Sequence, residues 1–134
     1  SADNAHAVHP HHPQKTDATN CVYMNEGIVV KSHAGQKYTS DAVSVAVFKD
    51  LCKKANVPVQ FFANRSDEAG GSTLGNIAMA QVSMNSVDIG LPQLAMHSTY
   101  ETAGIKDTYY MIQVMTEFFN CHISEVSTNV LKVD

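Results

Sequence analysis

Cysteine is scarce and carries no pattern: Cys21, Cys52 and Cys121 are the only three, widely spaced and without a Cys-x-x-Cys. That usage gives neither a disulfide framework nor a zinc finger, and it fits a reducing cytosol. Basic residues are few as well, nine Lys and Arg against thirteen Asp and Glu, for a net charge of −4 with no Lys/Arg cluster. Neither nucleic acid nor an anionic membrane is an expected partner of such a chain. No apolar run approaches the roughly 20 residues that cross a bilayer, and no signal-peptide pattern is seen, so a cytoplasmic location is expected. An initiator Met is missing too. The chain opens on Ser1-Ala2-Asp3, inside a chemically loaded stretch, and is expected to be a fragment or a processed chain.

What is present suits a globular fold. The 134 residues are 44% hydrophobic and 16% charged, enough for one domain with a real core. Residues 1–20 read as a polar loop. A strand is expected from Tyr23 to Val30, interrupted at Asn25-Glu26-Gly27, with Lys31 at the end of the β-branched run Ile28-Val29-Val30. Thr39, Ser40 or Asp41 can cap a helix over 41–55, with Val45, Phe48, Leu51 and Cys52 at helical spacing. Val59-Gln60-Phe61-Phe62 reads as a strand, and a helix capped by Ser72 or Thr73 is expected over 73–83. Val87-Asp88-Ile89-Gly90 is a further buried strand, running out through Leu91 and Pro92 to a loop that presents His97. A long amphipathic helix follows over 105–121, and the tail 122–134 has no assignable structure. This alternation of strands and helices predicts an α/β fold with a largely parallel sheet.

The candidate chemistry sits in a few places, each with a plain structural alternative. Asp3, His6 and His9 can ligate a metal, or can satisfy the backbone of their own loop. His9, His11 and His12 flank prolines and read as solvated. His97 follows a buried strand and lies beyond a Gly and a Pro, where α/β proteins carry reactive groups. Convergence of Asp3 and His97 on a metal is the expected arrangement. Gly70-Gly71-Ser72-Thr73 can bring backbone close to a ligand or simply turn the chain before a helix. No Gly-Lys-Ser/Thr follows, so it is not a P-loop. Lys31 can be a specificity charge in a crevice or a solvated strand end. Ser72 and Ser98 lack His and acid partners in sequence, which argues against a serine hydrolase.

Taken together, Ser1-Ala2-Asp3-Asn4-Ala5-His6-Ala7-Val8-His9-Pro10, Asn64-Arg65-Ser66-Asp67 with Gly70-Gly71-Ser72-Thr73, and Asp88-Ile89-Gly90 with Met96-His97-Ser98 resemble the aspartyl aminopeptidase family of dinuclear zinc exopeptidases. The resemblance covers nearly all of residues 1–120 and corresponds to the carboxyl-terminal third of such an enzyme. It implies a three-layer α/β sandwich with a mostly parallel, zinc-peptidase-like sheet, present here as a partial domain over 1–121, with 122–134 as an unassigned tail. It also implies Asp3 as a terminal ligand of one zinc and His97 as a ligand of the other, the two halves of one dinuclear centre. Mn or Co could replace zinc on such ligands. Lys31 and Tyr38 would line the pocket for an acidic side chain, His6 would border the site, and Gly70 and Gly71 would approach the substrate. Two ions about 3.5 Å apart would activate a water for attack on a peptide carbonyl.

The family's other ligand motifs, its bridging Asp, its Glu-Glu pair with the general base and its dimerisation domain have no counterpart here. Tyr100 stands where the family has Arg. The expected function is therefore a portion of a homo-oligomeric metallo-aminopeptidase that removes N-terminal, preferably acidic, residues from peptides, with the isolated chain inactive. Two alternatives remain: a non-catalytic fragment for assembly or binding, and an aminopeptidase preferring neutral residues, which would require Lys31 to point away from the crevice.

Overall fold

The run Ile28-Val29-Val30-Lys31-Ser32 forms a strand, β2 (Ile28–Ser32), against which the rest of the chain is packed. Its β-branched side chains suit an extended backbone, and alternation sends Ile28 and Val30 to one face and Val29 and Lys31 to the other. The computed structural model describes residues 1–128 and 130–134. Around β2 come β1 (Ala5–His6), α1 (Ala42–Lys54), β3 (Val59–Ala63), α2 (Leu74–Gln81), β4 (Ile89–Gly90), β5 (Pro92–Leu94), β6 (Thr102–Ala103), α3 (Ile105–Asn120), β7 (Ile123–Ser127) and β8 (Val130–Val133).

The two faces of β2 have different neighbours. Ile28 and Val30 pack with Phe48, Leu51 and Cys52 of α1 and with Val114 of α3. Val29 packs with Ala5, Val22 and Phe62, with Tyr38 at the edge. Each such fully buried aliphatic side chain contributes about 1.5–3 kcal/mol relative to exposure. The helices are placed by their ends as well as by this core. Asp41 caps α1 by accepting from the Ser44 N–H at 2.8 Å, while its own N–H donates to Ser44 Oγ at 3.1 Å. Lys53 and Lys54 lie in the last turn of α1, where the helix dipole favours positive charge. At the start of α3 the buried Asp107 carboxylate accepts from Asn25 N–H at 2.5 Å and Gly27 N–H at 3.0 Å, tying α3 to the turn that enters β2.

Three features differ from the sequence expectation. The first seven residues are not a free loop but run parallel to the stretch 89–93. Ile89 N–H donates to Ser1 O, Asp3 N–H to Ile89 O, Ala5 N–H to Leu91 O and Ala7 N–H to Gln93 O, each at 2.9 Å. The α/β class holds, but the sheet is mixed: β2 is parallel to β3 and antiparallel to β4. Apolar patterning reports burial and not direction, so a strand running either way looks the same in the sequence. Finally, the tail contributes two antiparallel strands, β7 and β8, and Val133 packs against the α1 and α3 side of the core. Its length and polar, Val-rich pattern gave no periodicity to separate it from a loop. Among the described residues no helix is long and apolar enough to cross a membrane.

Gly90 is the closest approach between the opening segment and the sheet: a Cβ there would overlap the Asp3 carbonyl. Gly71, by contrast, has nothing within 4 Å of the position a Cβ would take. Gly90→Ala is expected to lower unfolding free energy in urea by about 2–3 kcal/mol, the usual effect of overpacking, while Gly71→Ala stays within about 0.5 kcal/mol. Equal effects at the two positions would contradict this packing.

Candidate active site

Pairing of the opening segment with β4 and β5 brings two distant pieces of sequence to one edge of the sheet. Between them and the loops after β2 and β3 lies a cleft of about 410 Å³, lined by Asp3, His6, Lys31, Tyr38, Gly70, Gly71 and His97 among others. All seven residues expected from the sequence thus share one cavity. His9 and His12 reach its rim, with their rings 5.2 Å apart.

Lys31 is the unusual member. It follows Val30 on the most buried strand, and it is only 2% exposed. Its Nζ lies 3.7 Å from Asp3 Oδ2 and 3.5 Å from the Asn4 carbonyl, and 4.9 Å from the centre of the Tyr38 ring. Burial pushes its pKa down, opposed by the charges of Asp3 and Asp88. These contacts are long for a buried ammonium, which keeps donor capacity directed at the cleft. Tyr38 lies half-buried beside it, its hydroxyl pushed up by burial and then by Asp3 and Asp88. His6 is held below the ordinary histidine range, first by desolvation and then by the positive charges of His97 and Lys31. An ammonium, a phenol and two imidazoles around one cavity make a site suited to an anionic group.

The Asp3 side chain is 54% exposed, so its carboxylate has room for a partner other than Lys31. His97 sits on a strained turn, with φ of 67°, and its N–H donates to Glu101 Oε1 at 2.6 Å. A non-glycine residue there is costly and is held only where the surroundings fix it. Here Glu101 does the fixing. Carboxylate oxygen and imidazole nitrogen are both donors that suit zinc, so these two side chains fit as part of a ligand set. They are not a whole one: among the described residues no group of three or more His, Cys, Asp or Glu is placed to hold a metal.

The glycine loop divides into two roles. A Cβ on Gly70 would overlap the Asn64 amide and crowd His33, and the Gly70 carbonyl accepts from Lys37 Nζ at 2.6 Å. Gly71 faces open space in the cleft, where a ligand can approach the backbone. Thr73 occupies the N-cap position of α2, as expected, but its hydroxyl makes no capping bond. Sequence reasoning gave no role to Asn4, Gln93 and Arg65, which also line the cleft. Asn4 Nδ2 donates to Gln93 Oε1 at 2.5 Å, and Arg65 makes a two-point pair with Asp67. An Arg-x-Asp spacing was legible as a local pair; the Asn4–Gln93 contact spans 89 positions and had no local signal.

Comparison with known proteins bears on this geometry. The family described as aminopeptidase I zinc metalloprotease (M18) matches residues 1–119. A protein of Clostridium novyi (strain NT) named "Probable M18 family aminopeptidase 2" is 54% identical over 120 residues, 90% of this chain and 28% of its own length. The chain therefore spans little more than a quarter of that relative. The crystal structure of aminopeptidase I from Clostridium acetobutylicum superposes with a TM-score of 0.78 at 26% identity, covering 90% of this chain and 27% of that one. A yeast (S. cerevisiae) mApe1 dodecamer gives a TM-score of 0.78 at 26% identity, covering 89% and 26%.

The long contacts of Lys31 carry a stability expectation. Lys31→Met keeps the chain length and relieves the cost of burying the charge, while it leaves Asp88 with one fewer opposite charge nearby. The two effects oppose, and the expected change in unfolding free energy is within about 1 kcal/mol. A loss of about 3 kcal/mol or more in denaturant unfolding would instead mark the ammonium as a structural tie.

Proposed function

Because the chain belongs to the M18 family of aminopeptidase I zinc metalloproteases, matched over residues 1–119, we propose that it is the part of a metallo-aminopeptidase that recognises the substrate's N-terminal side chain and supplies two of the metal ligands. The observation that carries this reading is the buried Lys31 ammonium facing a cleft that also holds Asp3, His97 and Tyr38. An acidic side chain entering the cleft gains a charge-assisted hydrogen bond from Lys31 Nζ, and the Tyr38 hydroxyl orients it. His6 adds a second donor at the same end. The opening left beside Gly71 admits the peptide backbone. The place of Lys31 in the cavity lining supports the acidic reading over a preference for neutral side chains, which would need it to point away.

Asp3 and His97 would hold zinc, one on each half of a two-metal centre, with Glu101 fixing the turn that presents His97. Bound zinc supplies Lewis acidity and lowers the pKa of a water for hydrolysis. The remaining ligands and the general base belong, on this reading, to the part of the relatives that this chain does not span. The dodecameric relative supports a homo-oligomer for the whole protein. A second reading, a non-catalytic piece of the same fold that serves assembly, is favoured by the incomplete donor set among the described residues.

Hydrolysis of aspartyl or glutamyl against leucyl chromogenic substrates by the full-length protein separates the two readings. The enzyme reading predicts higher kcat/KM for the acidic substrates, and loss of the activity on chelation with recovery on adding zinc. Lys31→Met is expected to lower the acidic-to-neutral kcat/KM ratio by about 10–100-fold, the value of one hydrogen bond to a charged group. The 134-residue chain alone is expected to give no turnover. Full-length protein that is inactive with zinc supplied would favour the assembly reading, and a ratio unchanged by Lys31→Met would remove the acidic specificity.

A further inference from the structure

Beside Lys31 on the adjacent strand, and outside the cleft lining, lies a carboxylate that the proposed chemistry does not use. Asp88 is fully buried at the entry to β4. Burial opposes its charge, yet the hydroxyls and amides around it, from Ser1, Thr39 and Thr73, hold its pKa below the usual carboxylate range. Its Oδ2 accepts from Thr39 N–H at 2.7 Å and from Thr39 Oγ1 at 3.0 Å. Its backbone is engaged as well: the carbonyl accepts from Lys31 N–H at 2.9 Å, and the N–H donates to Ser40 Oγ at 3.0 Å. Asp88 Oδ1 and Thr73 Oγ1 are both buried within this cluster. Space for the cluster comes from Gly75, where a Cβ would lie within 3.0 Å of the Ser1 Cβ, Asp88 Oδ2 and Thr39 Cγ2.

Each partner of Asp88 adjoins a residue of the cleft. Thr39 follows Tyr38. Ser1 precedes Asp3 by two positions. Thr73 follows the Gly70-Gly71 turn by two. Asp88 stands opposite Lys31 across the antiparallel β2–β4 ladder, where the Lys31 N–H donates to the Asp88 carbonyl at 2.9 Å, so the two side chains leave the same face of the sheet as neighbours. We propose that Asp88 is a positioning residue for substrate side-chain recognition: its carboxylate fixes the Tyr38 segment and balances the Lys31 ammonium from the neighbouring strand, so that the ammonium is not drawn wholly onto Asp3 and remains directed at the substrate. This rests on the reading of Lys31 and Tyr38 as the acidic-side-chain pocket. Buried charges without a partner are costly, so a carboxylate fully removed from solvent beside a buried ammonium must act on it.

The test is Asp88→Asn in the full-length, zinc-loaded enzyme, with Lys31→Met measured alongside. Asparagine keeps an acceptor for Thr39 and removes the charge. The acidic-to-neutral kcat/KM ratio is expected to fall about tenfold, through KM for the acidic substrate, while zinc content is retained. A merely structural role would lower both substrates together and leave the ratio unchanged, and that result overturns the inference. If Lys31→Met lowers the ratio and Asp88→Asn does not, the pocket stands and only the role of Asp88 falls. If Lys31→Met also leaves the ratio unchanged, the pocket itself is wrong and the inference goes with it. Should Asp88→Asn fail to fold, Thr39→Val decides: losing the Oγ1 donor at the Tyr38 segment is expected to lower the ratio about threefold, and an unchanged ratio overturns the proposal.

Discussion

A buried positive charge is the constraint around which the cleft of this structure is arranged. Lys31 occupies the fourth position of a strand whose other neighbours are Ile28, Val29 and Val30, and the pleat points it to the face shared with Val29. An ammonium removed from water must find partners or lose its charge. Here the partners come from three directions: Asp3 on the opening segment, the Tyr38 ring after β2, and Asp88 at the entry to β4. None is a short, saturating ion pair. The result is a charged group that is held in place yet has not been neutralised by its own protein, the electrostatic state a site for an anion requires.

The backbone makes that arrangement possible. Seven residues at the start of the chain pair in register with 89–93, and Gly90 lets the two approach closely enough for Asp3 to reach Lys31. The same stretch continues through β5 to the strained turn at His97, which Glu101 holds. One ladder thus sets both metal-ligand candidates and the distance between them. On the opposite face of β2 the packing of α1 and α3 is apolar and ordinary. The cleft thus borders one face of β2, beside the Val29, Val22 and Phe62 packing, while α1 and α3 cover the other.

Much of this was legible in the sequence, for physical reasons that can be stated. The β-branched run, the Asp41 cap and the helical spacing of Val45, Phe48, Leu51 and Cys52 are local signals, and β2 and α1 lie where they point. The seven candidate residues stand out because their types and order resemble a family pattern, and all seven line one cleft. What failed was non-local. The pairing of residues 1–7 was hidden because His, Asp and Pro in that stretch look like loop composition, and the hydrogen bonds that make it a strand are to residues more than 80 positions away. The direction of β4 was hidden because burial is blind to direction. In the sequence Asp88 reads as part of an apolar strand, with no role of its own. A charged residue inside such a run is itself a signal of a buried polar partner, and its partners, Thr39 and Ser40, lie on a different segment.

The central claim is that the charge of Lys31 selects the charge of the substrate side chain. Its most direct measurement compares inhibition of the full-length enzyme by two hydroxamates of equal shape, those of aspartate and asparagine. Both would approach the metals and the glycine loop alike, and they differ only in the group offered to Lys31. The account predicts that the aspartyl compound binds at least about tenfold more tightly at neutral pH. Equal inhibition constants, or a preference for the asparaginyl compound, would contradict it.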